Sequence, residues 1–185
     1  SRGRGIVVSR LTEIKRLDHA VLALASCTST VPTLDVYGDG EDRDRLERCI
    51  ADQGMEERVR LHGHDPHARN HFARSSFSLL TSRTEGQSLT IVESMAHGCI
   101  PIAYDIDYGP SDIITDGVDG FLVPAGRPDA LARAVDAFLE MDEERVAGMR
   151  DAAIDSSRRF SSESIAARWA GALHRVVRER SEESG

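Results

Sequence analysis

Ser78-Leu79-Leu80-Thr81-Ser82-Arg83-Thr84-Glu85-Gly86-Gln87-Ser88-Leu89-Thr90-Ile91-Val92-Glu93-Ser94-Met95-Ala96-His97-Gly98-Cys99-Ile100-Pro101-Ile102 decides the fold. A short apolar run, Ser78–Thr81, is followed by a polar loop containing Gly86. A segment with apolar residues at three- and four-residue spacing comes next, predicting a helix over Leu89–His97. A β-branched run over Ile100–Tyr104 then reads as a second strand. Strand, loop, helix and strand in this order form one βαβ unit, which belongs on a parallel sheet.

The same rhythm extends in both directions. Strands are expected at Gly5–Ser9, Thr33–Tyr37, Val59–His62 and Phe121–Val123, most of them bounded by Gly, Asp or Pro. Helices are expected at Asp18–Ser26, Asp42–Gln53, His67–Ala73 and Ser111–Thr115, and each crossover is long enough for a right-handed return. The fold class is α/β: a doubly wound, Rossmann-like parallel sheet with helices on both faces. Beyond Val123 the strand signals stop. Asp129–Met141, Glu143–Asp155 and Ser162–Arg180 read as C-terminal helices, with Pro128 suited to a first helical turn. Ser181 to Gly185 read as a frayed tail after one domain over residues 1–180.

With 185 residues, 40% apolar and 29% charged, the chain is long enough for a buried core and too apolar for disorder. Its net charge of −8 argues against broad electrostatic binding to nucleic acid, although a local cluster of cations still suits a phosphate. Cys27, Cys49 and Cys99 leave one thiol unpaired in any disulfide scheme and fit a reducing, cytoplasmic setting. No apolar run approaches the roughly 20 residues that span a bilayer. Ser1–Gly5 lacks the apolar core of a secretory signal and leads at once into a strand, as expected of an excised domain.

Ligands of open α/β sheets bind outside the carboxyl ends of the strands. After the first strand come Ser9, Arg10 and Leu11, with Lys15 and Arg16 close behind, a group of cations suited to phosphate. After the fourth comes the Glu85–Leu89 turn. Gly86 allows close backbone approach, Ser88 is a good N-cap, and the free N–H groups from Leu89 onward favour an anion. Glu85 and Glu93 bracket the helix start, and carboxylates accept paired hydrogen bonds from vicinal hydroxyls of the kind a sugar and a ribose carry.

Taken in order, these segments resemble the retaining glycosyltransferases of the GT-B fold, in the group whose donor domains carry Glu, seven residues, Glu. The resemblance rests on Ser9-Arg10-Leu11 with Lys15, Gly38-Asp39-Gly40, Val59–Gly63, Glu85 to Glu93, the run from Glu93 to Pro101, and Asp116–Val123. It implies that Arg10 and Lys15 bind the donor diphosphate and that Glu93 holds the ribose hydroxyls, while Glu85 faces the transferred sugar. Gly63 and His64 would border the base; Ser9, Gly86, Gln87, Ser88 and Leu89 would line the phosphates and sugar. The group often has Gly where this chain has Ser9, and an aromatic residue then Gly where it has Gln87 and Ser88. Asp105–Asp112 resembles the subgroup that glycosylates polyol-phosphate wall polymers such as wall teichoic acid.

The expected activity is therefore that of a hexosyltransferase donor domain. Its partner molecule is a nucleotide-sugar, UDP-linked, with neither metal nor further cofactor required. A separate N-terminal domain, absent from this chain, would hold the acceptor, and peripheral membrane association of the intact enzyme is compatible with this arrangement. Two alternatives share these features: a nucleotide-sugar 2-epimerase and a noncatalytic nucleotide-sugar-binding module. His62, His64, His67 and His71 lack the supporting ligands of a metal site. The Gly38-Asp39-Gly40 turn lacks the third glycine of a dinucleotide fingerprint, that position being Arg43.

Overall fold

In the computed structural model, which describes residues 3–29 and 32–182, one six-stranded sheet organises the chain. The strands are β1 (Arg4–Val8), β2 (Thr33–Tyr37), β3 (Val59–Gly63), β4 (Phe77–Leu80), β5 (Ile100–Asp105) and β6 (Phe121–Pro124). All pairings are parallel, in the order β3-β2-β1-β4-β5-β6. The strand order reverses between β1 and β4, and at such a switch point the flanking loops diverge and leave a crevice.

The helices are α1 (Leu17–Ala25), α2 (Arg43–Asp52), α3 (Leu89–Ala96), α4 (Pro110–Ile113), α5 (Pro128–Glu140), α6 (Glu143–Ser157) and α7 (Ser162–Glu182). α1 packs on α2 and α5, whereas α3 packs on α6 and on the segment Ala68–Arg74. The alternation of β2 explains these two layers. Leu34 and Val36 belong to the core that contains Leu24 and Phe138, while Tyr37 joins Ile6, Phe72 and Cys99 in a second cluster. Phe77 and Phe138 meet edge to face at 5.9 Å between ring centroids within the larger core.

Differences from the sequence reading lie mainly at element ends. Ala68–Arg74 is a 3₁₀-helix rather than an α-helix, and a further 3₁₀ turn covers Glu13–Lys15. The first is anchored by the fully buried Phe72, while its His and Arg side chains supply no apolar stripe for a longer α-helix. Ser181 and Glu182 belong to α7 rather than to a frayed tail; Glu183, Ser184 and Gly185, and Ser1 and Arg2, lie outside the described residues.

Two polar anchors, the first of them buried, were not legible in the sequence. Asp119, 1% exposed, accepts hydrogen bonds from the Thr115 amide and the Ser156 hydroxyl, each at 2.6 Å, and so ties the turn before β6 to α6. Asp136 on α5 accepts from the Thr28 amide and hydroxyl, both at 2.9 Å, fixing the exit of α1.

Candidate functional site

The loops after β1 and β2 press directly on one another. The Ser9 amide donates to the Tyr37 carbonyl and the Leu11 amide to the Asp39 carbonyl, both at 3.0 Å. Gly38 has φ of 142°, and a Cβ there would stand 1.8 Å from the Ser9 carbonyl oxygen, so only glycine permits this approach. The Gly38 amide donates in turn to the Gly63 carbonyl at 2.8 Å, which brings the end of β3 alongside. Ser9, Arg10, Tyr37, Gly38, Asp39, His64 and Asp65 consequently line one depression of roughly 510 Å³ at the carboxyl edge of the sheet.

Arg10 also belongs to a second depression of roughly 670 Å³, together with Lys15, Glu41, Thr84, Glu85 and Gly86. Both volumes fall in the range of about 300–1,000 Å³ typical of small-ligand sites. The cations after β1 and the Glu85–Gly86 turn after β4 are therefore brought together at the switch point. Lys15 Nζ lies 2.6 Å from Glu85 Oε1, and the Ser82 hydroxyl donates to the same oxygen at 2.5 Å. Lys15 is held there by its own backbone, because its carbonyl accepts the Thr81 hydroxyl at 2.7 Å.

Ser88 occupies the position before α3 but makes no side-chain cap, contrary to the reading of its residue type. Its hydroxyl is instead buried without a hydrogen-bond partner beneath Gly109. The first N–H groups of α3 are thus not satisfied by this side chain, which leaves that end favourable to an anion. Gln87 opens onto a different hollow, with Phe160, Arg168 and Trp169, and Leu89 is 54% exposed. Glu93 is paired with Arg69 at 3.2 Å and so connects α3 to the 3₁₀-helix beside the first depression.

The histidine-rich stretch forms a stack instead of a ligand set. His62 and His71 each stack on the Tyr37 ring, with ring centroids at 4.5 and 4.4 Å and planes nearly parallel. His62 Nε2 is 2.7 Å from Asp35 Oδ1, and His71 Nε2 is 3.2 Å from Asp65 Oδ2. Burial works to raise the Asp35 carboxyl pKa, but hydrogen bonds from His62 and Arg4 outweigh it and leave that pKa lowered. Burial pushes the thiol of Cys99 up to about 12, so it is an unreactive core group.

A parallel sheet of this order, with ligand-sized depressions at its switch point, places the protein in the Rossmann-like class of domains found in GT-B glycosyltransferases. Residues 5–155 match the family described as glycosyl transferases group 1, and the chain belongs to that family. It is 28% identical over 181 residues to a poly(glycerol-phosphate) alpha-glucosyltransferase of Bacillus subtilis, covering 97% of this chain and 27% of that protein. It is 34% identical over 182 residues to an exopolysaccharide phosphotransferase of Streptomyces coelicolor, covering 96% of this chain and 19% of that one. Among solved structures, TarM of S. aureus in complex with UDP and alpha-GlcNAc-glycerol superposes with a TM-score of 0.83 at 26% identity, over 92% of this chain and 35% of that chain. The chain therefore spans about a third or less of the length of these relatives.

Proposed function

We propose that this chain is the donor-binding half of a retaining glycosyltransferase that moves a hexose or N-acetylhexosamine from a UDP-linked donor to a glycan or polyol-phosphate acceptor. One observation carries the reading: Arg10 lines both depressions and stands with Lys15 beside the Glu85–Gly86 turn. The UDP bound by TarM and the greater length of the relatives support it. In this reading an acceptor-binding half precedes the chain, and residues 1–180 form the donor domain.

The donor's diphosphate gains negative charge as its bond to the anomeric carbon breaks. Arg10, Lys15 and the N-terminal amides of α3 stabilise that charge by fixed, pre-oriented interactions. They supply what a divalent ion supplies in many sugar-nucleotide enzymes, so the reading requires no metal. Gly63 and His64 border the base, Glu93 grips the ribose hydroxyls, and Glu85 with Ser9, Gly86, Gln87, Ser88 and Leu89 forms the sugar and phosphate side. Lys15 exchanges its pairing with Glu85 for the phosphate, which frees the carboxylate for the sugar. The unpaired thiols Cys27, Cys49 and Cys99 suit a cytoplasmic enzyme, and no helix among the described residues is long and apolar enough to cross a membrane.

Calorimetric titration of wild type and Glu93→Ala with UDP, ADP and GDP tests the reading. UDP is expected to bind most tightly, and loss of the carboxylate–diol contacts is expected to weaken it about tenfold. UDP affinity that ignores the loss of Glu93 removes its ribose role; no affinity for any nucleoside diphosphate removes the donor-domain reading.

A further inference from the structure

Among the described residues, two that are not glycine hold a left-handed backbone: Arg16 at φ 45° and Tyr108 at φ 66°. Such a backbone is strained for a bulky L-residue, and strain of this kind concentrates where function demands it. Arg16 has a packing role, since its guanidinium lies against Gly126. Tyr108 has none. It is 78% exposed, and its ring joins none of the ring contacts among the described residues.

Tyr108 sits in the loop between β5 and α4. A Cβ on the next residue, Gly109, would stand 2.7 Å from the Ser88 hydroxyl and 3.8 Å from the Gly86 carbonyl oxygen, so this loop rests on the turn that carries Glu85 and Gly86. The Gly109 amide donates to Asp112 at 3.3 Å, and Arg159 donates to the Ile113 carbonyl at 3.0 Å, fixing the loop to α4 and the chain beyond it. An exposed aromatic ring is thus carried on a braced loop beside the Gly86–Ser88 turn.

We propose that Tyr108 recognises the pyranose of the nucleotide-sugar donor by stacking its ring on the apolar C–H face of the sugar. This rests on the donor-binding reading above. A pyranose has a hydroxyl-bearing edge and an apolar face. Residues 84–89 supply carboxylate, hydroxyl and amide groups for the edge but no aromatic ring for the face. The neighbouring loop provides one, with a phenol hydroxyl that adds a polar contact at the rim.

The test is calorimetric titration of wild type, Tyr108→Asn and Tyr108→Trp with UDP, UDP-glucose and UDP-N-acetylglucosamine. Asn accepts the left-handed backbone more readily than Tyr, so Tyr108→Asn is expected to melt no lower than wild type. It should bind UDP as wild type does and bind both UDP-sugars about tenfold more weakly. Tyr108→Trp should retain the sugar-dependent affinity. Equal affinity of wild type and Tyr108→Asn for the UDP-sugars, with UDP still bound, overturns the proposal and leaves the donor-domain reading intact. An equal loss for UDP and the UDP-sugars also overturns it, because the contact would then be to the nucleotide. Failure of wild type to bind UDP overturns both.

Discussion

Lys15 Nζ lies 2.6 Å from Glu85 Oε1, an ion pair that ties the loop after β1 to the loop after β4. The carboxylate side chain is 12% exposed and the lysine 24%, so the pair is shielded from screening more than a surface pair would be. An anion entering beside Lys15 competes with Glu85 for the same ammonium. Glu85→Gln is accordingly expected to bind UDP at least as tightly as wild type, whereas Lys15→Ala should bind it about tenfold more weakly. Calorimetry reads both, and loss of UDP binding in Glu85→Gln contradicts the competition.

Gly38 sets the spacing of the same mouth. With Ser9 carbonyl oxygen 1.8 Å from any added Cβ, Gly38→Ala forces the β1 and β2 loops apart. A loss of at least about 2 kcal/mol in urea denaturation is expected, accompanied by weaker nucleotide binding because Arg10 moves with Ser9. Wild-type stability in this variant would mean that the loops relax freely.

Asp119 provides a test remote from the site. Its two short hydrogen bonds are buried, and Asp119→Ala leaves the Thr115 amide and the Ser156 hydroxyl without this acceptor. A destabilisation of about 2–3 kcal/mol is expected from urea denaturation. Nucleotide affinity measured well below the unfolding transition should be unchanged.

Asp35 makes stability depend on pH. Burial acts to raise its pKa, yet the hydrogen bonds from His62 and Arg4 prevail, and the folded-state pKa is lower than the unfolded one. Its contribution is therefore present above the unfolded value of about 4 and is lost as pH falls through the lower folded value. Asp35→Asn should be less stable than wild type near pH 7, and the gap should narrow below about pH 4. Thermal melting from pH 7 to pH 2 checks this; a gap independent of pH contradicts it.

The sheet was legible because parallel strands are buried on both faces and so read as compact apolar runs, as Ile6-Val7-Val8 and Ile100–Tyr104 do. Five of the six strands differ by one residue from the sequence reading at one end or both, where pairing rather than residue type sets the limit. The meeting of Arg10 with Glu85 and Gly86 was also readable, since strand order places the loops after β1 and β4 at one switch point. What could not be read were contacts set by tertiary geometry. Nothing local in sequence says that Ser88 is covered by Gly109 instead of capping α3, or that Lys15 pairs with Glu85. The stacking of His62 and His71 about Tyr37 likewise joins residues from three different elements. Tyr108 lies in the Asp105–Asp112 run noted in the sequence but was not among the site residues read there, because its left-handed backbone has no sequence signature.

Mapping backbone amide shifts during titration with UDP tests the central claim most directly. The result expected is a single cluster of perturbed amides at Ser9, Arg10, Lys15, Gly86 and Leu89, with Gly38 and His64 at its margin. Shifts confined to the opposite edge of the sheet, around Arg4, Thr33 and Arg60, with the Gly86 and Leu89 amides undisturbed, would contradict it.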